Sequence, residues 1–212
     1  MSAKSVCFIV TAEITATTFY RGYLSYLQQA GWEVSLIASS NGNLEDFGRT
    51  EGIRVVSVPM RREPSPLNDV ISLIRLIRVI RRLHPDLVVT ATPKAGLLGT
   101  VAALVVRVPV RVYQLWGLRF ETESGPKRTI LKILELCTVK SATQVVANSP
   151  SLARRAAQLG LTGRRPAVVL GPGSSHGVDL TYFSPHADVP SVDETTLRFL
   201  AHNSDSLVVG FV

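Results

Sequence analysis

Two spacings of hydrophobic residues alternate along most of the chain. Short apolar runs rich in β-branched residues, typical of strands buried in a parallel sheet, precede segments whose apolar residues recur every three or four positions, as in a helix. The strand-like runs are 5–11, 32–38, 53–58, 86–90, 110–115, 143–147 and 167–170, and the helix-like segments are 18–29, 44–50, 67–83, 93–106, 127–140 and 150–159. This order predicts an α/β fold with a Rossmann-like, doubly wound parallel sheet.

The pattern changes after the seventh predicted strand. Residues 171–177 are rich in glycine and serine, residues 193–202 have the pattern of a short helix, and residues 206–212 have the pattern of a new strand. A core strand is an unusual place for a chain to stop. We therefore expect a fragment, with one domain over residues 1–184, and with a linker and the first strand of a truncated second domain over residues 185–212.

The composition indicates an anionic partner but does not identify which one. The 212 residues are 46% hydrophobic and carry a net charge of +7, which favours nucleic acid, an anionic membrane surface or phosphorylated substrates. The longest apolar run, 95–106, is shorter than the roughly 20 residues that a membrane-spanning helix needs. Cys7 and Cys137 are predicted to be reduced core thiols of a cytosolic protein.

A doubly wound sheet binds ligands at the carboxyl ends of its strands, where the strand order reverses. Here that point is predicted between the first and fourth strands. Lys94 follows the fourth strand, beside the positive end of a helix for which Pro93 is the first residue and Thr92 the predicted N-cap. A cation there is unfavourable unless an anion lies close by, so the turn predicts phosphate binding.

The turn after the first strand offers hydroxyl groups rather than glycines. Thr15 and Thr17 can donate hydrogen bonds, and Arg21 lies in the following helical segment. Helix capping by a threonine and a solvated arginine are the simpler interpretations. The Gly-x-Gly-x-x-Gly fingerprint of dinucleotide-binding proteins is absent, which argues against a Rossmann oxidoreductase.

The turn after the fifth strand carries the richest chemistry. Trp116 can stack on a sugar or fill the core, and Gly117 allows close approach of a ligand to the backbone. Arg119 can bind phosphate or carboxylate bidentately. Glu121 can act as an acid or base, or can pair with Arg119. After the sixth strand, Ser149 is predicted to be an N-cap that could also face a ligand.

The helix predicted over 67–83 is unusually apolar and carries a narrow stripe of arginines, Arg75, Arg78 and Arg82. Burial against the sheet and neighbouring helices is one explanation. Contact with an anionic membrane surface is the other.

Four stretches, 92–99, 112–121, 146–152 and 173–179, together resemble the N-terminal half of family 4 glycosyltransferases of the GT-B type, and residues 208–212 resemble the first strand of that family's donor domain. The similarity is greatest to bacterial enzymes that build capsule, exopolysaccharide or other glycans on a polyprenyl lipid. Two departures stand out. Trp116 replaces a histidine that many members carry, and His176 replaces the usual asparagine.

The resemblance implies an acceptor-binding domain that faces a nucleotide-sugar-binding domain across a cleft. It implies retention of anomeric configuration with no cofactor and no metal, and a fragment that is inactive alone. The candidate catalytic residues are Lys94, Arg119 and Glu121. The candidate substrate-binding residues are Thr15, Thr17, Arg21, Thr92, Trp116, Gly117, Ser149, Ser174, Ser175 and Gly177.

These expectations combine into one functional hypothesis. The chain is interpreted as part of a retaining glycosyltransferase that moves a sugar from a nucleotide sugar to a polyprenyl-phosphate-linked or saccharide acceptor in surface polysaccharide synthesis. It would work in the cytoplasm, peripherally on the inner face of the plasma membrane. The alternative is a non-catalytic basic module that binds nucleic acid or other polyanions, although no nucleic-acid-binding motif occurs and no nucleic-acid partner is expected.

Overall fold

A computed structural model describes residues 4–163, 165–174, 176–177, 180, 184, 193–203 and 206–207. Its strands are β1 (Ser5–Ala12), β2 (Glu33–Ser39), β3 (Arg54–Ser57), β4 (Leu87–Ala91), β5 (Val110–Leu115), β6 (Gln144–Ala147) and β7 (Val168–Val169). Its helices are α1 (Glu13–Phe19), α2 (Tyr23–Gln29), α3 (Leu44–Glu51), α4 (Pro66–Leu83), α5 (Pro93–Val106), α6 (Gly125–Ser141), α7 (Pro150–Gln158) and α8 (Glu194–His202), with a 3-10 helix at Arg119–Thr122.

The strands form one parallel sheet in the order β3-β2-β1-β4-β5-β6-β7. Phe8 of β1 lies opposite Leu36 of β2 on one side and Val89 of β4 on the other. The chain therefore winds outward from β1 through β2 to β3, returns to β4, and winds outward again. The predicted doubly wound sheet and its reversal point between β1 and β4 are both confirmed.

Alternate residues of β1 enter two apolar layers, as the pleat of a strand requires. Val6 and Phe8 belong to the cluster that also contains Leu24 and Phe47 of α2 and α3. Cys7 joins the opposite cluster, which contains residues of α4 and α5. Burial raises the pKa of the Cys7 thiol to about 12, and its free, buried side chain confirms the predicted core thiol.

Helix α5 lies unusually close to the sheet because two glycines face it. A Cβ atom on Gly99 would lie 2.7 Å from Cγ2 of Thr90, and one on Gly96 would lie 2.6 Å from Cε2 of Tyr113. Real Cβ atoms do not approach neighbours that closely. Any side chain at either glycine would therefore clash with the sheet unless the helix or its neighbours moved. The N-terminus of α5 is thereby held directly above the ends of β4 and β5.

The helix predicted over 18–29 is wrong, because two helices occupy this region. Helix α1 begins immediately after β1, and the chain breaks at Tyr20 before α2 begins. Gly22 has a φ of 73°, a conformation that favours glycine. The carboxylate of Glu51 in α3 then accepts hydrogen bonds from the backbone N–H groups of Gly22 (2.8 Å) and Ser25 (3.1 Å). A side chain from a different helix therefore caps α2.

The prediction that Cys137 is a core thiol is also wrong, since its side chain is exposed on α6. The buried side of this helix is formed by Glu135, Thr138 and Val139 instead. The apolar residues of α6 occur around its whole circumference, so periodicity did not distinguish the buried side.

The chain divides into two compact units, Met1–His176 and Gly177–Val212. In the second unit, Asp193 caps α8 by accepting a hydrogen bond from the backbone N–H of Thr196 (2.9 Å), which confirms the predicted helix. The strand predicted over 206–212 lies mostly outside the described residues, and the domain boundary at residue 184 stays a prediction. Within the described residues, no helix has the length and apolarity needed to cross a membrane.

Candidate active site

A cavity of about 360 Å³ opens at the carboxyl ends of β4 and β5. Its lining comes from the first turn of α5, the end of β5 and the turn that follows. The lining residues are Thr92, Pro93, Tyr113, Gln114, Trp116, Gly117, Leu118, Arg119 and Thr122. The cavity thus brings together four residues that the sequence predicted for the site: Thr92, Trp116, Gly117 and Arg119.

Thr92 does not cap α5 as predicted, because its side chain makes no capping hydrogen bond among the described residues. Its hydroxyl group instead lies 2.7 Å from the hydroxyl of Thr11 at the end of β1. Thr11 in turn accepts a hydrogen bond from the backbone N–H of Ala95 (3.3 Å). The cap of α5 therefore comes from the neighbouring strand. Thr92 also has a φ of 69°, and such strained backbone is concentrated at binding sites.

Trp116 both packs on the core and lines the cavity. Its ring lies 4.8 Å from the ring of Phe19 and 6.3 Å from that of Tyr20, measured between centroids. The ring of His176 meets Phe19 edge-on at 4.7 Å. The two predicted roles of Trp116 are therefore compatible, since one part of the indole is fixed by neighbours while another part faces the cavity.

Gln114, which the sequence analysis missed, is the polar side chain at the end of β5 in this cavity. The hydroxyl of Tyr20 donates a 2.7 Å hydrogen bond to its amide oxygen. Tyr20 is fully buried, and burial raises the pKa of its hydroxyl, so the hydroxyl keeps its proton. The amide oxygen of Gln114 is thus occupied, and its NH₂ group has no hydrogen-bond partner in the part of the chain that the structure describes.

Lys94 has an anionic neighbour within the protein. Its ammonium donates hydrogen bonds to Oδ1 of Asp69 in α4 (2.7 Å) and to the backbone oxygen of Glu63 (2.5 Å). The side chain is only 12% exposed. The anion that the turn sequence required is therefore present, and the carboxylate of Asp69 supplies it in this structure.

Arg119 and Glu121 do not pair with each other. The guanidinium of Arg119 lies 3.6 Å from the carboxylate of Glu63, and Arg155 of α7 donates to the carboxylate of Glu121 at 2.7 Å. The interpretation of Glu121 as a partner of Arg119 is wrong. Glu63 consequently touches both predicted cations, through its backbone oxygen at Lys94 and through its side chain at Arg119.

The residues predicted in the first turn lie on or after α1 and are not part of the cavity lining. Thr15 and Thr17 are half-buried, and Arg21 is exposed. The hydroxyl of Thr17 donates to the backbone oxygen of Ile14 at 3.2 Å. All three stay predictions as ligand contacts.

A carboxylate that the sequence analysis did not select organises this end of β1. Glu13 is buried and accepts hydrogen bonds from the backbone N–H groups of Asn41 (2.8 Å) and Asn43 (3.3 Å) and from the hydroxyl of Ser40 (3.1 Å). The N–H of Asn41 is the main cause of its lowered pKa. Glu13 therefore fastens the loop after β2 to the start of α1.

The last group of predicted residues lies beyond β6. Ser149 accepts a 3.2 Å hydrogen bond from the backbone N–H of Leu152, which confirms it as the N-cap of α7. Ser174 is exposed and hydrogen-bonds to the backbone of His176. Ser175 lies outside the described residues, and Gly177 begins the second unit.

Fold and cavity together define a doubly wound α/β domain with a cavity at the carboxyl edge of its sheet. A family model described as a glycosyl transferase 4-like domain matches residues 15–173. The capsular polysaccharide biosynthesis glycosyltransferase CapM of Staphylococcus aureus is 32% identical over 212 residues, which are 100% of this chain and 53% of that protein.

Two further comparisons agree. A UDP-Gal:alpha-D-GlcNAc-diphosphoundecaprenol alpha-1,3-galactosyltransferase of Escherichia coli is 31% identical over 117 residues, which are 54% of this chain and 30% of that protein. A glycosyltransferase from Rickettsia africae has the same fold, with a TM-score of 0.62 at 15% identity over 97% of this chain and 50% of that one. The chain belongs to the glycosyltransferase 4-like family, as its sequence motifs predicted. It spans about half the length of the CapM relative.

Proposed function

We propose that the chain is the acceptor-binding half of a retaining glycosyltransferase that transfers a sugar from a nucleotide sugar to a polyprenyl-phosphate-linked or saccharide acceptor in surface polysaccharide synthesis. The observation that carries this proposal is the cavity at the ends of β4 and β5, which combines an aromatic wall, Arg119 and the N-terminus of α5. The alignment of the whole chain with a capsule glycosyltransferase supports the same conclusion.

The chemistry of the cavity suits a sugar phosphate. Trp116 offers an aromatic face to a pyranose ring, and the NH₂ group of Gln114 offers a donor to a hydroxyl. Glycosyl transfer builds negative charge on the leaving diphosphate, and cations with helix N-termini placed in advance stabilise that charge. In this assignment Arg119 provides positive charge in the cavity, and Lys94 provides it when a substrate phosphate replaces Asp69 as its partner. Glu121 holds the turn through Arg155.

The test is transfer by the full-length protein from a panel of nucleotide sugars to a polyprenyl-diphosphate-linked acceptor. Arg119→Ala and Lys94→Ala are each expected to lower kcat/KM by about 100-fold or more, the scale of losing one electrostatic contact in the transition state. Arg54→Ala, at the start of β3 and remote from the cavity, is the matched control and should leave kcat/KM unchanged. Wild-type kinetics in both site variants would contradict the assignment.

Because Lys94 pairs with Asp69, a structural effect of Lys94→Ala needs its own control. Asp69→Asn removes the carboxylate and leaves the ammonium in place. If Lys94 binds a substrate phosphate, the kcat/KM of this variant should stay within about tenfold of the wild-type value. Equal losses in both variants would show that Lys94 merely joins α4 to α5. Absence of transfer together with a salt-dependent affinity for DNA would favour the basic-module alternative.

A further inference from the structure

The outer surface of α4 is divided along the helix axis. Its buried side is formed by Ser72, Leu76 and Ile80. On the opposite side, the N-terminal half exposes large apolar side chains and the C-terminal half exposes arginines. The exposed apolar residues are Leu67, Val70, Ile71 and Ile74, and the exposed arginines are Arg75, Arg78, Arg81 and Arg82. An amphipathic helix inside a globular core has its apolar residues inward, so this outer apolar half calls for a partner.

Helix α6 repeats the same combination on the same side of the sheet. Both α4 and α6 pack against α5. Helix α6 exposes Ile130, Ile133 and Leu134, with Lys127 and Arg128 one turn earlier. The ammonium of Lys127 lies 2.7 Å from the carboxylate of Glu123, so Arg128 is the main cation of this part. We call the exposed apolar residues of α4 and α6, together with their neighbouring cations, the α4–α6 face.

The α4 part of this face is predominantly positive. The segment from Pro59 to the end of α4 contains six arginines and two acidic residues, Glu63 and Asp69. Both acidic residues already lie within ion-pairing distance of cations from other elements, Arg119 and Lys94 respectively. Within the described residues, the arginines of α4 therefore have no acidic partner and can meet an external anion.

We infer that the α4–α6 face docks on an anionic lipid bilayer. We choose a bilayer as the partner because the positive charge of this face complements the negative charge of anionic lipids. Apolar side chains flanked by several arginines match the interface of a membrane, where hydrocarbon and phosphate headgroups lie side by side. This inference rests on the proposed function. It adds the surface that would bring the domain to a lipid-linked acceptor.

The position of the face relative to the cavity fits this role. In a parallel α/β sheet, each helix that follows a strand begins at the carboxyl edge of the sheet. The apolar half of α4 and the start of α6 therefore lie at the same edge as the cavity, on either side of α5. A bilayer seated on the α4–α6 face would hold a lipid phosphate close to the cavity mouth.

The experiment measures cosedimentation of the full-length protein with vesicles of phosphatidylcholine, alone or with about 30 mol% phosphatidylglycerol. Wild-type protein is expected to bind only the anionic vesicles and to be released by high salt. Replacing Arg75, Arg78 and Arg82 by Gln should weaken binding by roughly a hundredfold. Leu67→Ser with Ile71→Ser should weaken it by about tenfold or more.

Matched controls change exposed residues elsewhere in the first unit. Arg49, Arg54 and Arg154 replaced by Gln remove the same charge, and Tyr26→Ser with Leu170→Ser removes comparable apolar surface. Both controls should bind like wild type, and thermal unfolding should show that every variant is folded. Absence of binding by wild-type protein, or equal loss in a control, would overturn the inference. The inference would also be overturned if the wild-type protein formed a dimer and the Leu67→Ser, Ile71→Ser variant lost the dimer but bound lipid normally. The apolar residues would then contact a second copy of the chain rather than a bilayer.

Transfer to a short-chain, water-soluble acceptor separates this inference from the proposed function. The variants of the α4–α6 face should retain that activity because they leave the cavity intact. If wild-type protein binds vesicles but transfers no sugar, the proposed function fails while the docking surface stands.

Discussion

At the scale of single residues, the hydroxyl of Tyr20 decides which end of the Gln114 amide remains free at the cavity within the described residues. Tyr20 is buried and packs edge-on against Phe8, with ring centroids 5.1 Å apart. Its hydroxyl donates to the amide oxygen of Gln114, and this fixes the orientation of the amide. A donor is thereby presented to the cavity beside the apolar side chains of Pro93 and Leu118 and the aromatic rings that also line it.

Gln114→Glu tests this assignment, because it keeps the oxygen that Tyr20 needs and removes the NH₂ donor. We expect KM for the acceptor to rise by about tenfold or more, since a lost hydrogen bond to a ligand hydroxyl costs about 1–3 kcal/mol. The melting temperature should change little. Tyr20→Phe leaves the amide free to rotate and should raise KM less. Wild-type KM in the Gln114→Glu protein would exclude Gln114 as a substrate contact.

The sequence predicted side-chain contacts poorly where the two partners lie far apart along the chain. Lys94 was correctly placed at a helix N-terminus and correctly predicted to need an anion. Its observed partner, Asp69, lies 25 residues earlier on a different helix, and no local spacing encodes that pair. Thr11 and Gln114 were missed although a signal exists, since polar residues at the ends of central buried strands point into the ligand edge.

At the scale of elements, the position of α5 depends on its two glycines. Gly99→Ala would place a methyl group against Thr90 and Ile9, with the nearest carbon at 2.7 Å. Thr90 is β-branched and fully buried, so it has little freedom to move. We expect a loss of about 1–3 kcal/mol in the free energy of unfolding, the usual cost of overpacking a core, measured by urea denaturation.

Gly117→Ala is the matched control for that substitution. No described atom lies within 4 Å of a Cβ atom on Gly117, so its stability should stay within about 0.5 kcal/mol of wild type. Equal stability of the two variants would show that the packing of α5 on β4 tolerates an added methyl group.

Elements with a consistent local signal were predicted well. Strand β5 and helix α5 have the predicted bounds, because a proline or a turn lies at or beside their ends and most of the residues between are apolar. The segment after β1 was predicted poorly because the break between α1 and α2 depends on Gly22 and on the carboxylate of Glu51. Glu51 lies 29 residues later in the chain, and its contribution is a tertiary contact rather than a local pattern.

At the scale of the whole molecule, carboxyl groups whose pKa values move in opposite directions shape the dependence of stability on pH. The backbone N–H groups of Asn41 and Ser5 are the main causes of the lowered pKa values of Glu13 and Asp86 respectively. A group with a lowered pKa stabilises the fold above its ordinary pKa, and this contribution disappears as the pH falls through the folded value. These two residues therefore favour unfolding in acid.

Glu135 acts in the opposite direction. It lies between α6 and β5, where the buried hydroxyl of Tyr113 donates to it at 2.9 Å. Burial raises its pKa from 4.5 to about 7, although the hydrogen bond from Tyr113 acts to lower it. Between these two pH values the folded chain holds a proton that the unfolded chain has released. The contribution of Glu135 to the free energy of unfolding therefore falls as the pH rises from about 4.5 to about 7 and is constant above that range.

Glu135→Gln tests this balance, because glutamine keeps an oxygen for Tyr113 and cannot ionise. A tenfold change in an acid dissociation constant corresponds to about 1.4 kcal/mol, so the variant should exceed wild type in stability by about 1–3 kcal/mol at pH 8 and match it near pH 5. Urea denaturation at pH 5, 6, 7 and 8 measures the difference. Glu33→Gln, which changes an exposed glutamate on β2, should give a profile parallel to that of wild type. A parallel profile for Glu135→Gln as well would mean that the buried carboxyl group does not govern the neutral side of the stability curve, and the fall toward neutral pH would then have to arise from another group.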